Sequence, residues 1–196
     1  AQVQLAYDAN TAGTITGLGD ELVTISDTTI TAIALNDLDS ATAGAINATS
    51  VNILTGNATD VKTALASSGI TTVTNGSLAV NVNSGTASVA DINTINADSA
   101  TGIVTATATE TAAATLIGLT TSGTDAITVT MAAASTAAAD LNTINGKTSV
   151  AVNAAAVTTL TGTAAQVQLS YDANTAGTIT GLGDELVTIS DTTITA

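Results

Sequence analysis

The sequence has no cysteine, proline, histidine, phenylalanine or tryptophan, and only two tyrosines. Without cysteine, disulfides say nothing about its compartment. Without histidine or cysteine, a nucleophile would have to be Ser or Thr with a Lys base, or a carboxylate pair. Lys62 and Lys147 are the only basic residues. Lys62 lies on a candidate helix, and Lys147 matches no lysine elsewhere in the repeats described below. No arginine stands beside the acids, as a carbohydrate-cleaving β-helix would need. The chain is therefore not read as an enzyme, and no catalytic, cofactor-binding or metal-ligating residue is assigned. Aromatics make up 1% of the chain, so core volume comes from Ala, Val, Ile and Leu, which suits a narrow core with close walls. Charged residues are 9%, against about 25% in ordinary domains. The net charge of −14 argues against nucleic acid as a partner. No unbroken apolar run is long enough to span a membrane. Disorder is a poor fit, because mean hydropathy is +0.45.

What is present is repetition. Ala1–Ala32 and Ala165–Ala196 differ only at Ala6 against Ser170, at an offset of 164 residues. The middle carries weaker echoes. Asn36-Asp37-Leu38-Asp39, Asn93-Thr94-Ile95-Asn96 and Asn142-Thr143-Ile144-Asn145 each follow a large apolar residue. Twelve residues upstream of that residue stand Val23, Val80 and Val129, and the next start is Val187, giving spacings of 57, 49 and 58. Residues 1–196 thus read as one continuous repeat array and a window of a longer chain. Its units are approximately 23–79, 80–128 and 129–186, and 165–196 repeats 1–32. The first and third units align without a gap at an offset of 106, with Leu54-Thr55-Gly56 matching Leu160-Thr161-Gly162.

Local patterns are short. Val3, Leu5 and Tyr7 alternate as in a half-buried strand, and Thr14–Thr16 reads as a strand before a turn at Gly17–Asp20. Leu22–Ser26 is β-rich, and Ile30–Leu38 holds one or two helical turns. Ala45–Ala48 and Ser50–Leu54 read as strands. Ala58–Ser67 is the best helix, capped by Asn57 or Thr59 with Val61, Ala64 and Leu65 as its stripe. Ser77–Asn83, Thr101–Thr109 and Asp125–Met131 read as strands, and Ala132–Leu141 as helical. Thr148–Asn153 and Ala156–Leu160 repeat the first unit's strand pair. The expected fold is mainly β: a β-solenoid, parallel β-helix-like, with short helical turns. In it Asn36, Asn93 and Asn142 share one register, as do Asn47 and Asn153, either as stacked amide ladders or as plain turn residues. Val23 and Val187 should both face inward, and Asp20 and Asp184 should both lie in turns.

Ligand patterns are weak. Asp37-Leu38-Asp39 is half of a calcium loop, and Asp20-Glu21 with Asp27 recurs only as Asp184-Glu185 with Asp191. Calcium is therefore an accessory at most, and these acids read as solvated turns. Thr14/Thr16, Thr29/Thr31, Thr105/Thr107/Thr109 and Thr159/Thr161/Thr163 are TxT pairs, but their spacing is irregular for an ice-binding face. Asn47-Ala48-Thr49, Asn57-Ala58-Thr59 and Asn75-Gly76-Ser77 are sequons.

The stretches ITGLGDELVTISDTTITA and ADLNTINGKTSVAVNAAAVTTLTGTAAQV resemble the giant Ala/Thr-rich repeat proteins of bacterial, cyanobacterial-type cell surfaces and extracellular filaments. The resemblance implies a secreted, adhesive or matrix role and supplies no catalytic residues. The expected function is a structural repeat segment of a secreted extracellular filament, sheath or adhesin stalk, self-stacking through parallel coils. Its partners would be itself and cell-surface glycans. The small, nitrogen-poor residues suit a protein exported in bulk, and few trypsin or chymotrypsin sites remain. The alternatives are a ligand- or ice-binding β-solenoid, or tandem immunoglobulin-like adhesin modules.

Overall fold

A computed structural model describes residues 2–72, 77–98 and 101–193. The chain is α/β, with about 33% helix and 25% strand, and this overturns the mainly β solenoid. Seven helices are present among the described residues, and every strand pairing given between them is parallel.

The elements run in chain order as α1 Gln2–Thr11, β1 Val23–Thr24, β2 Thr29–Thr31, α2 Ala32–Ala41, β3 Ile46–Asn47, β4 Ile53–Gly56 and α3 Ala58–Ala66. They continue as β5 Ile70–Thr71, β6 Leu78–Val82, α4 Val89–Asn96, β7 Thr101–Thr107, α5 Ala113–Leu116, β8 Ala126–Thr128 and β9 Ser135–Ala137. The last are α6 Ala138–Asn145, β10 Val152–Asn153, β11 Thr159–Gly162, α7 Ala164–Ala176, β12 Ile179–Thr180 and β13 Leu186–Ile189. The chain divides into two compact units, Ala1–Thr86 with Thr94–Thr105, and Ala87–Asn93 with Ala106–Ala196.

In the first unit each circuit of chain is a two-residue strand, a bend, a longer strand and a helix. The short strands pair in the order β1-β3-β5 and the longer ones in the order β2-β4-β6-β7. Val23, Ile46 and Ile70 form one inward row, and Ile30, Leu54, Val80 and Val104 another. The second unit repeats the plan, with β10 beside β12 and the order β13-β11-β9. Thr136, Leu160 and Val187 are its matching row.

The helices form because apolar residues return every third position where alanine favours helix. Ala32, Leu35 and Leu38 are buried on α2, Ala58, Val61 and Ala64 on α3, and Ala138, Leu141 and Ile144 on α6. Caps start three of them: the Thr31 hydroxyl accepts from the Ala34 N–H, Asn57 from Asp60, and Thr163 forms a capping box with Gln166. Alanine at the first helical position is also a packing requirement. Gly56 passes beneath Ala32 and Gly162 beneath Ala138, and a Cβ on either glycine would lie 3.3 Å from the alanine Cβ.

Several local expectations hold. Helix α3 starts at its Asn57 cap, β6 buries Leu78, Val80 and Val82 in alternation, and β7 lies within Thr101–Thr109. Others are corrected. Val3, Leu5 and Tyr7 lie on helix α1, not on a strand. The Ala132–Leu141 segment is strand β9 followed by the start of α6. Helix α4 was not expected at all, because its Asn93-Thr94-Ile95-Asn96 run reads as a turn until Ile92 and Ile95 are seen buried.

Candidate functional site

The residues that recur with a job are the helix asparagines. Asn36, Asn93 and Asn142 are each the fifth residue of their helix, so the shared register is real. The amide ladder is not. Each side chain instead reaches the next circuit's backbone. Asn36 Nδ2 donates to the Asp60 carbonyl at 3.0 Å, Asn93 Nδ2 to Gly118 at 2.8 Å, and Asn142 Nδ2 to Gln166 at 3.0 Å. The carbonyl ends are used too. Asn93 Oδ1 accepts from the Thr120 N–H at 2.8 Å, and Asn142 Oδ1 accepts from the fully buried Ser170 hydroxyl at 2.8 Å. These bonds fasten helix to following circuit and offset the poor helix propensity of asparagine. Asn47 and Asn153 end strands β3 and β10 and start the turns that follow: their Oδ1 atoms accept from the Thr49 and Ala155 N–H groups, each at 3.1 Å.

The acids singled out by the sequence take separate structural positions. Asp37 and Asp39 lie on α2 rather than in a loop, and Asp39 accepts from the Ser67 hydroxyl at 2.7 Å. Asp191 caps α7 by accepting from the Ala164 N–H at 2.5 Å. Asp20 and Asp184 both lie in exposed bends, as expected. Among the described residues no three His, Cys, Asp or Glu side chains are grouped to hold a metal ion.

The threonine pairs do not make a uniform face. One row along the first unit runs Thr31, Thr55, Asn81 and Thr105, but its neighbour runs Thr29, Ile53 and Ala79. Of the sequons, Asn47 is held in its turn and Asn57 in its cap; Asn75-Gly76 lies outside the described residues. Lys62 lies on α3, and Lys147 follows α6. None of the described helices is long and apolar enough to cross a membrane.

Sequence reasoning missed a clamp that occurs once in each unit. Tyr7 donates to the Glu21 carboxylate at 3.1 Å, and that carboxylate accepts the Gly19 N–H at 2.8 Å. Tyr171 donates to Glu185 in the same way, and Glu185 accepts the Gly183 N–H at 2.7 Å. Asn10 and Asn174 complete it by pairing with both backbone groups of Leu18 and Leu182. The available signal was that the chain's only two tyrosines each stand fourteen residues before a glutamate. The Gly19 N–H holds the Glu21 carboxyl below its ordinary value. Burial pushes Glu185 up, but the bonds from Gly183 and Tyr171 outweigh it and leave the carboxyl lowered. Burial, then the Glu185 bond and charge, push the Tyr171 hydroxyl up to about 12.

The lowered carboxyls stabilise the fold above the ordinary value of 4.5, and that contribution is lost as pH falls through their folded values. The raised tyrosine stabilises it below 10, and its contribution is lost as pH rises through about 12. Thermal midpoints should therefore fall at both ends of the pH range, and Glu185→Gln should flatten both limbs. Unchanged limbs in that variant would show that the Tyr171–Glu185 clamp does not support the fold.

The two copies of the repeated stretch take different places. In the first, Val23–Thr24 is a short strand paired with β3, and Thr29–Thr31 is the longer strand. In the second, Ile179–Thr180 is the short strand, and Leu186–Ile189 is the longer one, paired with β11. Residues equivalent by sequence therefore differ in environment. Val23 is 5% exposed and Val187 38%; Ile15 is 42% exposed and Ile179 fully buried. The expected match of Val23 with Val187 is thus overturned. In the first copy the stretch pairs with the circuit after it, and in the second with the circuit before it. The first choice leaves a mostly apolar groove of about 360 Å³ between α1 and the β2–α2 segment, lined by Val3, Gln4, Leu5, Asp8, Ile25, Ile30, Ala34 and Leu38.

Searches of family models, curated proteins and solved structures find nothing that matches this chain.

Proposed function

We propose that the chain is a structural repeat segment of a secreted extracellular filament, sheath or adhesin stalk, and that its work is mechanical. The observation that carries this reading is the fastening of each circuit to the next. Parallel backbone bonds join strand to strand, and Asn36, Asn93 and Asn142 join helix to following circuit. Load along such a stack is shared by many bonds that recur at one register. The resemblance to bacterial cell-surface repeat proteins supports an extracellular site, and the scarcity of basic residues supports resistance to trypsin-like proteases outside the cell. Partners on this reading are further copies of the same repeat and cell-surface glycans. Calcium is at most an accessory, and no catalytic role is assigned.

Antibody raised against the chain should label intact, unpermeabilised producing cells or the filaments they shed. Labelling only after permeabilisation would overturn the extracellular reading.

A further inference from the structure

We infer that strand β9 is a docking edge for an extended basic segment of another protein, which adds to the sheet as one more strand and sets a lysine or arginine beside Asp140. The inference goes beyond the mechanical role proposed above and does not depend on it.

Strand β9 lies inside the chain, with circuits before and after it. Its sheet runs β13-β11-β9, so β11 covers one side of β9 and no described strand covers the other. The preceding circuit leaves this row for a physical reason. Thr109 donates its N–H to the Ala87 carbonyl at 2.9 Å, and Glu110 accepts the Val89 N–H at the start of α4 at 2.9 Å. The chain is thereby held toward α4, and at Ala113 it turns into α5. Its bond to the β9 side comes at Thr111, whose carbonyl accepts the Ala132 N–H at 2.8 Å. Between them lies a groove of about 270 Å³, with residues 111–114 on one wall and residues 132, 134–137 and 140 on the other.

Backbone polar groups line this groove. Ser135 stands opposite Thr159 and Ala137 opposite Thr161, and the Ala134 carbonyl points to the β11 side, where it accepts the Thr158 N–H at 3.1 Å. Residues along a strand turn their backbone groups to alternate sides. Thr136 therefore faces β11, while the Ser135 N–H and carbonyl and the Ala137 N–H point into the groove. One residue of an added parallel strand meets two of these groups. Its N–H reaches the Ser135 carbonyl, and its own carbonyl accepts the Ala137 N–H. The residue two before it accepts the Ser135 N–H. An extended polypeptide supplies donors and acceptors at that spacing. Alanines dominate the walls, so they admit small or β-branched side chains and offer no aromatic face.

The charge of the occupant follows from Asp140. The third residue of α3 is Asp60 and that of α4 is Asp91, and the cap of each helix bonds it. Asn57 Nδ2 donates to Asp60 at 2.6 Å, and the Ser88 hydroxyl to Asp91 at 2.8 Å. Asp140 is the third residue of α6, whose cap is Ala137 and makes no side-chain bond. The half-buried Asp140 thus lines the groove without the donor that its counterparts have. A lysine or arginine on the added strand supplies it. A second copy of this chain fits less well. Each copy carries a charge of −14, and its two basic residues are Lys62 on α3 and Lys147 in the turn after α6, neither on a strand.

The test uses the 196-residue chain and a fluorescent peptide of alternating valine and threonine with one central lysine. Moderate salt keeps the net charge of −14 from holding the peptide by itself. Anisotropy reads binding, and amide hydrogen exchange reads its place. The lysine peptide should bind about fivefold more tightly than the same peptide with glutamate at that position, as one partly exposed ion pair provides. Asp140→Asn, which leaves the backbone untouched, should remove most of that discrimination. Ala137→Pro should weaken binding about tenfold or more, because it removes an N–H and puts the ring in the groove. Ala137 has φ −72°, which proline adopts, and circular dichroism shows whether the fold is kept. Exchange at Ser135 and Ala137 should slow when the peptide binds. Equal binding of the two peptides, equal binding to the wild type and to folded Ala137→Pro, or slowed exchange only outside β9 would overturn the inference. So would growth of the wild type in mass with concentration that Ala137→Pro abolishes, since a second copy would then hold the edge. None of these results bears on cell-surface labelling, so the docking edge and the extracellular reading fail separately.

Discussion

Gly181→Ala is expected to destabilise the second unit by about 2–5 kcal/mol, while Gly17→Ala, the same change in the same sequence, costs the first unit about 1–2 kcal/mol. Both glycines have positive φ, +86° at Gly181 and +90° at Gly17, so both variants carry the left-handed strain of an L-residue. The surroundings differ. A Cβ at Gly181 would lie 2.6 Å from the Ala155 Cα, where β12 runs close beneath the turn after β10. A backbone atom cannot swing aside, so the strand must lift off its partner. A Cβ at Gly17 meets nothing within 4 Å, because that part of the first copy pairs with no strand. Urea unfolding of the two variants measures the difference. Equal losses would mean that strain alone matters at both sites and that the close approach at Ala155 is not present in solution.

The contrast shows why the sequence could be read only in part. Helix α3 was legible because the signal is local: Asn57 caps it, Asp60 supports its first turn, and Val61 and Ala64 fall on one face. Strand β6 was legible because Leu78, Val80 and Val82 alternate without interruption. Helix α1 misled because Val3, Leu5 and Tyr7 alternate too, and a run of mixed small residues satisfies both periods. The helix asparagines misled for another reason. Asparagine favours turns when judged by its own backbone, and its place on α2, α4 and α6 is stabilised by bonds to the following circuit some 24 residues on. Such bonds exist only once the circuits have stacked. The Tyr–Glu clamps were hidden in a similar way, because the near-identity of the two copies gives every residue in the stretch equal weight. The largest error, a mainly β fold, followed from these two kinds of residue together. Helix α1 was read as a strand and α4 as a turn, and α7 was not read as a helix although Thr163 caps it, whereas the start of the uncapped α6 fell in a stretch that was read as helical.

A crossed set of alanine substitutions carries the second large effect and tests the two registers directly. Ile179→Ala should cost about 2–5 kcal/mol, since Ile179 is fully buried against Val152, whereas Ile15→Ala should cost about 0.5 kcal/mol or less. The order reverses eight residues later. Val23→Ala should cost about 1–2 kcal/mol because Val23 is packed against Ile46, and Val187→Ala should cost less, because one side of β13 is open. No single arrangement of the repeated stretch produces this crossing. If both isoleucines cost the same and both valines cost the same, the copies share one register. If the crossing holds, one sequence occupies two places according to which circuit it pairs with, the one after it in the first copy and the one before it in the second.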